Sequence, residues 1–168
     1  RCWNLDWEDI ALSTGPEPGK NYLYVGDIGD NYEARTEYLI YRLVEPAIQV
    51  NVDTLVNRIA FNYPDGSHDS EALLVDPATH DIYIITKTDP RSKLYKLSYP
   101  YSTTSMNQVQ EMGVLPYNYV VSAGISDKGD EILVKPYDSI LYYTRQDGET
   151  IAQALQKAPV RLPYVPEP

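Results

Sequence analysis

The feature that most constrains this chain is an internal repeat, in which three stretches line up as the same series of short segments. Each stretch opens with a short strand-like segment, turns, and continues into a second strand that is almost entirely apolar. Apolar runs of this length are typical of strands covered on both faces. The opening strands are predicted at 7–12, 70–75 and 122–126, and the second strands at 22–27, 82–87 and 131–135.

Two further strands complete each repeat. The third strands alternate aliphatic and tyrosine residues with polar ones, and the recurrence of Tyr41, Tyr95 and Tyr142 predicts that these rings pack between successive units. Only residues 151–156 combine good helix formers, so a turn or two of helix is expected there. The third strands are predicted at 39–42, 94–97 and 141–144, and the outer strands at 57–63, 108–115 and 159–164.

Composition supports the same fold class. Sixteen tyrosines, one phenylalanine and thirteen prolines suit many short strands separated by turns, and 43% hydrophobic residues exclude a disordered chain. The sequence therefore predicts an all-β fold, a β-propeller of three four-stranded antiparallel blades at about 6–66, 67–119 and 120–164. Three blades leave two bare faces, so we expect half of a six-bladed ring that a second copy or a second chain completes.

Turn sequences narrow the architecture. The segment Ser126-Asp127-Lys128-Gly129 resembles a hairpin of TolB-type and WD40-like propeller repeats. The segment 75–83 resembles a hairpin of gluconolactonase-like and phytase-like six-bladed propellers, with His80 at a position where glycine is usual.

A wider resemblance covers nearly the whole chain. Segments 6–11, 24–31 and 63–73 look like those of a group of uncharacterised secreted bacterial propeller proteins. The resemblance implies an extracellular or periplasmic location, and it implies further blades after a segment like Pro166-Glu167-Pro168. The chain opens with Arg1, as a chain does after removal of a signal peptide or after other trimming.

Charge excludes some partners. A net charge of −10 repels nucleic-acid phosphate and favours cations, so we expect no nucleic-acid partner. No apolar run approaches the ~20 residues of a membrane-spanning helix, so no membrane partner is expected. Cys2 is the single cysteine and is predicted to be a free thiol or to be bonded to another chain.

Acidic residues at the starts of the opening strands carry the main functional prediction. Inner strands of a propeller converge on one channel, which would bring Glu8 and Glu71 together with Asp6, Asp9 and Asp69 beside them. The alignment places Ala123 at the equivalent position of the third unit. Clustered carboxylates suit Ca²⁺, which takes six to eight oxygen ligands. The alternative is that these aspartates form turns and cap strands, with water between them.

Other candidates follow the second strands. Asp27, Lys87 and Lys135 align with one another, and Asp27 lies in a Gly- and Asp-rich segment (26–31) that offers oxygen ligands for Ca²⁺ but is also ordinary turn composition. The two lysines are predicted either to form ion pairs or to bind an anionic substrate. His68 would join them if it faces the channel, whereas a polar loop histidine is the alternative.

Two function classes remain open. The first is a secreted binding or scaffold propeller with Ca²⁺ in its channel. The second is a metal-dependent hydrolase of a phosphoester or lactone, which the phytase-like and gluconolactonase-like turns imply. Nucleophile-elbow and nucleotide-binding motifs are absent from the sequence, so enzymes of those classes receive no support.

Overall fold

The computed structural model describes residues 4–46, 56–87 and 90–165, which form three antiparallel sheets in chain order. The prediction of an all-β protein is confirmed. The first sheet contains β1 (Trp7–Thr14), β2 (Asn21–Asp27), β3 (Tyr38–Val44) and β4 (Val56–Asn62). The second contains β5 (Ser70–Val75), β6 (Ile82–Thr86), β7 (Lys93–Leu97) and β9 (Gln110–Val114). The third contains β10 (Val120–Ile125), β11 (Glu131–Pro136), β12 (Ile140–Thr144) and β13 (Val160–Leu162).

One segment departs from the predicted pattern. The expected outer strand 108–115 is divided, because β8 (Asn107–Gln108) pairs in parallel with β4 of the first sheet before β9 joins the second. The Asn107 side chain explains the division, since its amide donates to the carbonyl of Ala60 at 2.8 Å and accepts from the N–H of Ser102 at 2.8 Å. The first sheet therefore has five strands.

The predicted helical segment forms one short helix, α1 (Ile151–Leu155). Thr150 accepts from the N–H of Gln153, and the Gln153 side chain accepts from the N–H of Thr150, which makes a capping box. The apolar residues of α1 are buried against the third sheet. Within the described residues, no helix has the length and apolarity needed to cross a membrane.

The hairpin turns adopt the geometry that their sequences indicate. Gly129 has a φ of +75°, and His80 has a φ of +62° in the turn between β5 and β6. The latter is the left-handed conformation for which glycine is the usual residue. Backbone hydrogen bonds between Asp76 and both His80 and Asp81 close this turn.

Two apolar cores lie between the sheets. The first includes Tyr24 and Ile40 of the first sheet with Leu73 and Ile84 of the second, all fully buried. The second core joins the opposite face of the second sheet to the third sheet and α1. The middle sheet is thus covered on both faces, and every residue of β5 and β6 is buried, as the apolar run 82–86 predicts.

A β-bulge recurs at the start of each first strand. The pairing register shifts at Glu8 in β1, at Glu71 in β5 and at Val121 in β10. Glu8 and Glu71 are therefore structurally equivalent, as predicted, but their counterpart in the third sheet is Val121. The prediction of Ala123 was wrong by two residues, because β10 begins at Val120 and not at residue 122 as predicted.

The predicted equivalence of the three tyrosines is also partly wrong. Tyr41 pairs opposite Val25 and Tyr95 opposite Ile84, and the corresponding partner of Val134 is Leu141. Tyr142 is displaced by one position and lies on the other face of its sheet. Cys2 and the segment 166–168 lie outside the described residues.

Candidate functional site

The first strands of the three sheets contact one another, which brings their amino-terminal ends together. β1 contacts both β5 and β10, and the hydroxyl of Ser13 donates to the carbonyl of Val75 at 3.1 Å. Four carboxylates gather where β1 and β5 begin, and we call them the acidic cluster: Asp6, Glu8, Asp69 and Glu71.

Gly29 allows two of these carboxylates to crowd together. A Cβ at Gly29 would lie 2.5 Å from Oε1 of Glu8 and 2.6 Å from Oδ2 of Asp6, so any larger residue would displace both groups. The proximity of Asp6 is among the causes that raise the pKa of Glu8. The loop after β2 is thus shaped to hold carboxylates at short range.

Electrostatics of the cluster favour a neutral Glu8. Burial, followed by the charges of Glu71 and Asp6, raises the pKa of Glu8 to about 7. Burial raises the pKa of Glu71 as well, although Lys87 opposes that shift. Negative charge at this position is therefore costly at neutral pH, and any bound cation would reduce the cost.

Asp69 is the most enclosed member of the cluster. Its side chain accepts the N–H of Asp30 at 2.8 Å through Oδ1, and the residue is 1% exposed. Oδ2 is buried, and it has no hydrogen-bond partner among the described residues. A buried carboxylate oxygen without a donor costs free energy that a ligand could offset.

Lys87 provides the positive charge nearest the cluster. Its ammonium donates to Oε1 of Glu71 and lies 5.5 Å from the ring centroid of Tyr137. Burial would lower the pKa of Lys87, but its contacts with Glu71 and Tyr137 raise it above the ordinary value. Of the two roles predicted for Lys87, this geometry provides the ion pair.

Asp9, a predicted Ca²⁺ ligand, has protein donors on both oxygens. Oδ2 accepts the N–H groups of Leu73 at 2.9 Å and Ala123 at 3.3 Å, and Oδ1 accepts the hydroxyl of Ser122 at 3.2 Å. Burial raises the pKa of Asp9, and these donors oppose the shift. Asp9 therefore links the first strands of all three sheets.

Asp27, another predicted ligand, is similarly occupied. It is fully buried, accepts the N–H groups of Leu5 and Asp6, and forms an ion pair with Arg35 at 3.0 Å. Its position fixes the backbone that leads into β1. The structure thus places Asp27 beside the acidic cluster, but both of its carboxylate oxygens already bond to protein groups.

The predicted alignment of Asp27 with Lys87 and Lys135 was wrong by one residue at each lysine. Pairing with the first strands makes Asp27, Thr86 and Pro136 equivalent. The ammonium of Lys135 donates to the carbonyls of Pro136 and Tyr137 and lies 4.3 Å from the ring centroid of Tyr164.

His68 lies in the core between the first two sheets, and it is 6% exposed. Its Nε2 lies 3.0 Å from Oδ1 of Asp65 and 2.9 Å from the hydroxyl of Tyr95, and its ring packs edge-on against Tyr63. Lys93 donates to the other oxygen of Asp65 at 2.7 Å. The structure therefore gives the His68 side chain a place in a network with Asp65 and Tyr95.

Two tyrosines near the cluster, Tyr119 and Tyr137, were not predicted from the sequence. Tyr119 is the structural counterpart of Asp6 and Asp69, because each of the three is the residue just before the first strand of its sheet. Its ring stacks on Tyr137 with centroids 5.7 Å apart, and both rings are about half exposed. They line a cleft of about 420 Å³ that continues to Arg161. The signal available in the sequence was that a tyrosine, Tyr119, stands at the position that an aspartate occupies in the first two repeats.

Among the residues that the structure describes, no group of three or more His, Cys, Asp or Glu side chains has an arrangement that could hold a metal ion. The four carboxylates influence one another electrostatically without forming a ready set of ligands. Comparisons with protein-family models, curated proteins and solved structures find no match for this chain.

Proposed function

We propose that this chain is a binding module of the β-propeller type whose acidic cluster takes up a hard cation, with Ca²⁺ as the best candidate. The observation that carries the proposal is the buried Oδ2 of Asp69, which has no donor among the described residues and belongs to a cluster of four carboxylates. Oxygen ligands with net negative charge are the set that Ca²⁺ prefers.

The ligand set in this proposal is narrower than the sequence suggested. Glu8, Asp69 and Glu71 belong to it, with Asp6 beside them, whereas Asp9 and Asp27 already satisfy protein donors. Because these carboxylates do not yet have metal-holding geometry, binding requires Glu8 and Glu71 to reorient. A site assembled in this way belongs to the weak class of Ca²⁺ sites, with dissociation constants of roughly 10⁻⁴–10⁻³ M, which is typical of extracellular modules.

The propeller assignment rests on the arrangement of the sheets. Each sheet contains four antiparallel strands in chain order, with β8 added in parallel to the first, the first strands converge, and successive sheets pack face to face. These features support three blades of a larger ring. A secreted location accompanies the proposal, because a weak Ca²⁺ site is useful where the ion is plentiful.

Thermal unfolding with added Ca²⁺ or with chelator tests the cation. We expect Ca²⁺ to raise the Tm of the unmutated chain, since a ligand of the native state alone stabilises it. The Glu8→Gln variant should lose this response while remaining folded. Glu111→Gln removes the same charge at an exposed position of β9 and should keep the response. Identical melting curves of the unmutated chain under both conditions would reject the site.

The metal-dependent hydrolase remains a second proposal, and one observation favours it. A carboxyl group with a pKa of about 7, as Glu8 has, is suited to general acid–base catalysis near neutral pH. Assays with a phosphomonoester and with a lactone in the presence of Ca²⁺ would test this activity. Turnover that Glu8→Gln abolishes and Glu111→Gln preserves would support an enzyme, whereas Ca²⁺ binding without turnover would leave a binding module.

A further inference from the structure

Equivalent faces of the three sheets pack in a regular order. We define the leading face by Ile10 in the first sheet, Leu73 in the second and Ala123 in the third, which are equivalent positions after the bulge. The opposite face of each sheet is its trailing face. The trailing face of the first sheet covers the leading face of the second, and the trailing face of the second covers the leading face of the third.

This order leaves one face of each type uncovered within the described chain. The leading face of the first sheet carries two cross-strand rows of mainly apolar residues, in which Ile10 is 56% exposed and Leu12 45% exposed. These rows are Ile10–Val25–Tyr41–Arg58 and Leu12–Leu23–Leu43–Val56.

The uncovered trailing face belongs to the third sheet. Its central row runs Gly124–Leu133–Tyr142–Val160 across all four strands. Leu133 is 44% exposed and Val160 is 59% exposed, and Gly124 leaves a shallow depression beside them. A neighbouring leading face could fill that depression, as the leading faces of the second and third sheets fill the trailing faces before them.

We propose that the trailing face of the third sheet packs on the leading face of the first sheet in a second copy of this chain, and reciprocally. One copy supplies both faces, and together they continue the sheet-to-sheet interfaces already present inside the chain. A twofold axis makes two such contacts at once and leaves neither apolar face bare. The proposal rests on the observed sheet packing and is independent of the cation.

Light scattering during size-exclusion chromatography tests this directly. We expect a dimer whose dissociation decreases as salt increases, because each copy has a net charge of −10 and salt screens their repulsion. Ile10→Asp and Leu133→Asp should each give folded monomers, as circular dichroism would verify. Tyr32→Asp is the control, since Tyr32 is 93% exposed in the loop between β2 and β3 and belongs to neither apolar face, and this variant should remain dimeric.

Mixing the two interface variants separates this arrangement from a symmetric one. An Ile10→Asp copy keeps its trailing face and a Leu133→Asp copy keeps its leading face, so the mixture should form a heterodimer through one intact contact. A dimer that only Ile10→Asp disrupts would show leading faces meeting each other and would overturn the proposal. A monodisperse unmutated monomer, or an open series of longer oligomers, would overturn it as well.

Discussion

Two groups of acidic residues in this molecule differ in how the protein treats their charge. Asp65, between the first two sheets, receives hydrogen bonds from Lys93 and Tyr95 and lies beside His68. In the acidic cluster, Glu8 faces Glu71 and Asp6, and Asp69 keeps one buried oxygen without a donor among the described residues. The first group contributes to stability, whereas the like charges of the second oppose it.

The pKa shifts follow this difference. Burial alone would raise the pKa of Asp65, but hydrogen bonds from Lys93, His68 and Tyr95 hold it well below the usual range. Burial and neighbouring carboxylates move the pKa of Glu8 in the other direction. A high density of carboxylates therefore does not by itself identify a ligand site, because the donors around each oxygen decide its role.

The largest effect is expected at Asp9, whose oxygens have protein donors in all three sheets. Asp9→Ala would leave the N–H groups of Leu73 and Ala123 without their acceptor, which should lower the free energy of unfolding by about 3 kcal/mol. Urea denaturation measures this change. An unchanged midpoint would show that Asp9 does not link the strands, and would weaken the distinction between structural and ligand carboxylates.

A smaller loss is expected from Asp65→Asn, about 2 kcal/mol near neutral pH, because three donors lose a charged acceptor. Since the pKa of Asp65 is lower in the folded than in the unfolded state, its contribution is present above the unfolded value and is lost as pH falls toward the folded value. Urea midpoints between pH 7 and 3 should therefore fall less in the variant. Asp147→Asn, at an exposed turn, should behave like the unmutated chain.

Lys87 offers a test inside the acidic cluster. Its ammonium already neutralises Glu71, so Lys87→Met should free that carboxylate and raise Ca²⁺ affinity by roughly tenfold. Lys135→Met is the matched control, since Lys135 bonds to backbone carbonyls and not to the cluster. Calorimetric titration of both variants measures the difference. Weaker Ca²⁺ binding by Lys87→Met than by Lys135→Met would contradict the inference that Lys87 and Ca²⁺ compete for Glu71.

The smallest effect is expected at Gly29. Its replacement by alanine would place a methyl group against Glu8 and Asp6 and push the two carboxylates apart. The pKa of Glu8 should then fall toward its ordinary value, because a neighbouring negative charge recedes, and carbon-13 NMR of the carboxyl group measures it. A Glu8 pKa that is unchanged in Gly29→Ala would show that the crowding at Gly29 does not contribute.

Most of the strands could be predicted from the sequence, and the details that failed concern the ends and the register of the strands. Alternation and turn residues located the first three strands of each sheet within about two residues. The alignment failed at Ala123 because β10 begins at Val120, two residues before the predicted start, and it failed at Lys87 and Lys135 because their strands were each aligned one residue out of register with β2. Near-continuous apolar runs do not mark where a strand begins or ends, so register required coordinates.

The sequence predicted the negative charge of the acidic cluster, but it did not predict which hydrogen-bond donors surround each carboxylate. The convergence of Glu8 and Glu71 followed from the repeat alone. The donors that occupy Asp9 and Asp27 come from residues as far as 114 positions along the chain, and no local pattern indicates them. The same holds for His68, whose partner Tyr95 lies 27 residues away.

The most direct test of the central claim is calorimetric titration of the unmutated chain with Ca²⁺ at pH 7.5, beside Asp69→Asn. The account predicts saturable binding by the unmutated chain, and it predicts that Asp69→Asn binds far more weakly because the buried, unpaired carboxylate is lost. Absence of saturable heat in the unmutated chain, or equal affinity in a folded Asp69→Asn variant, would contradict the assignment of the acidic cluster as a cation site.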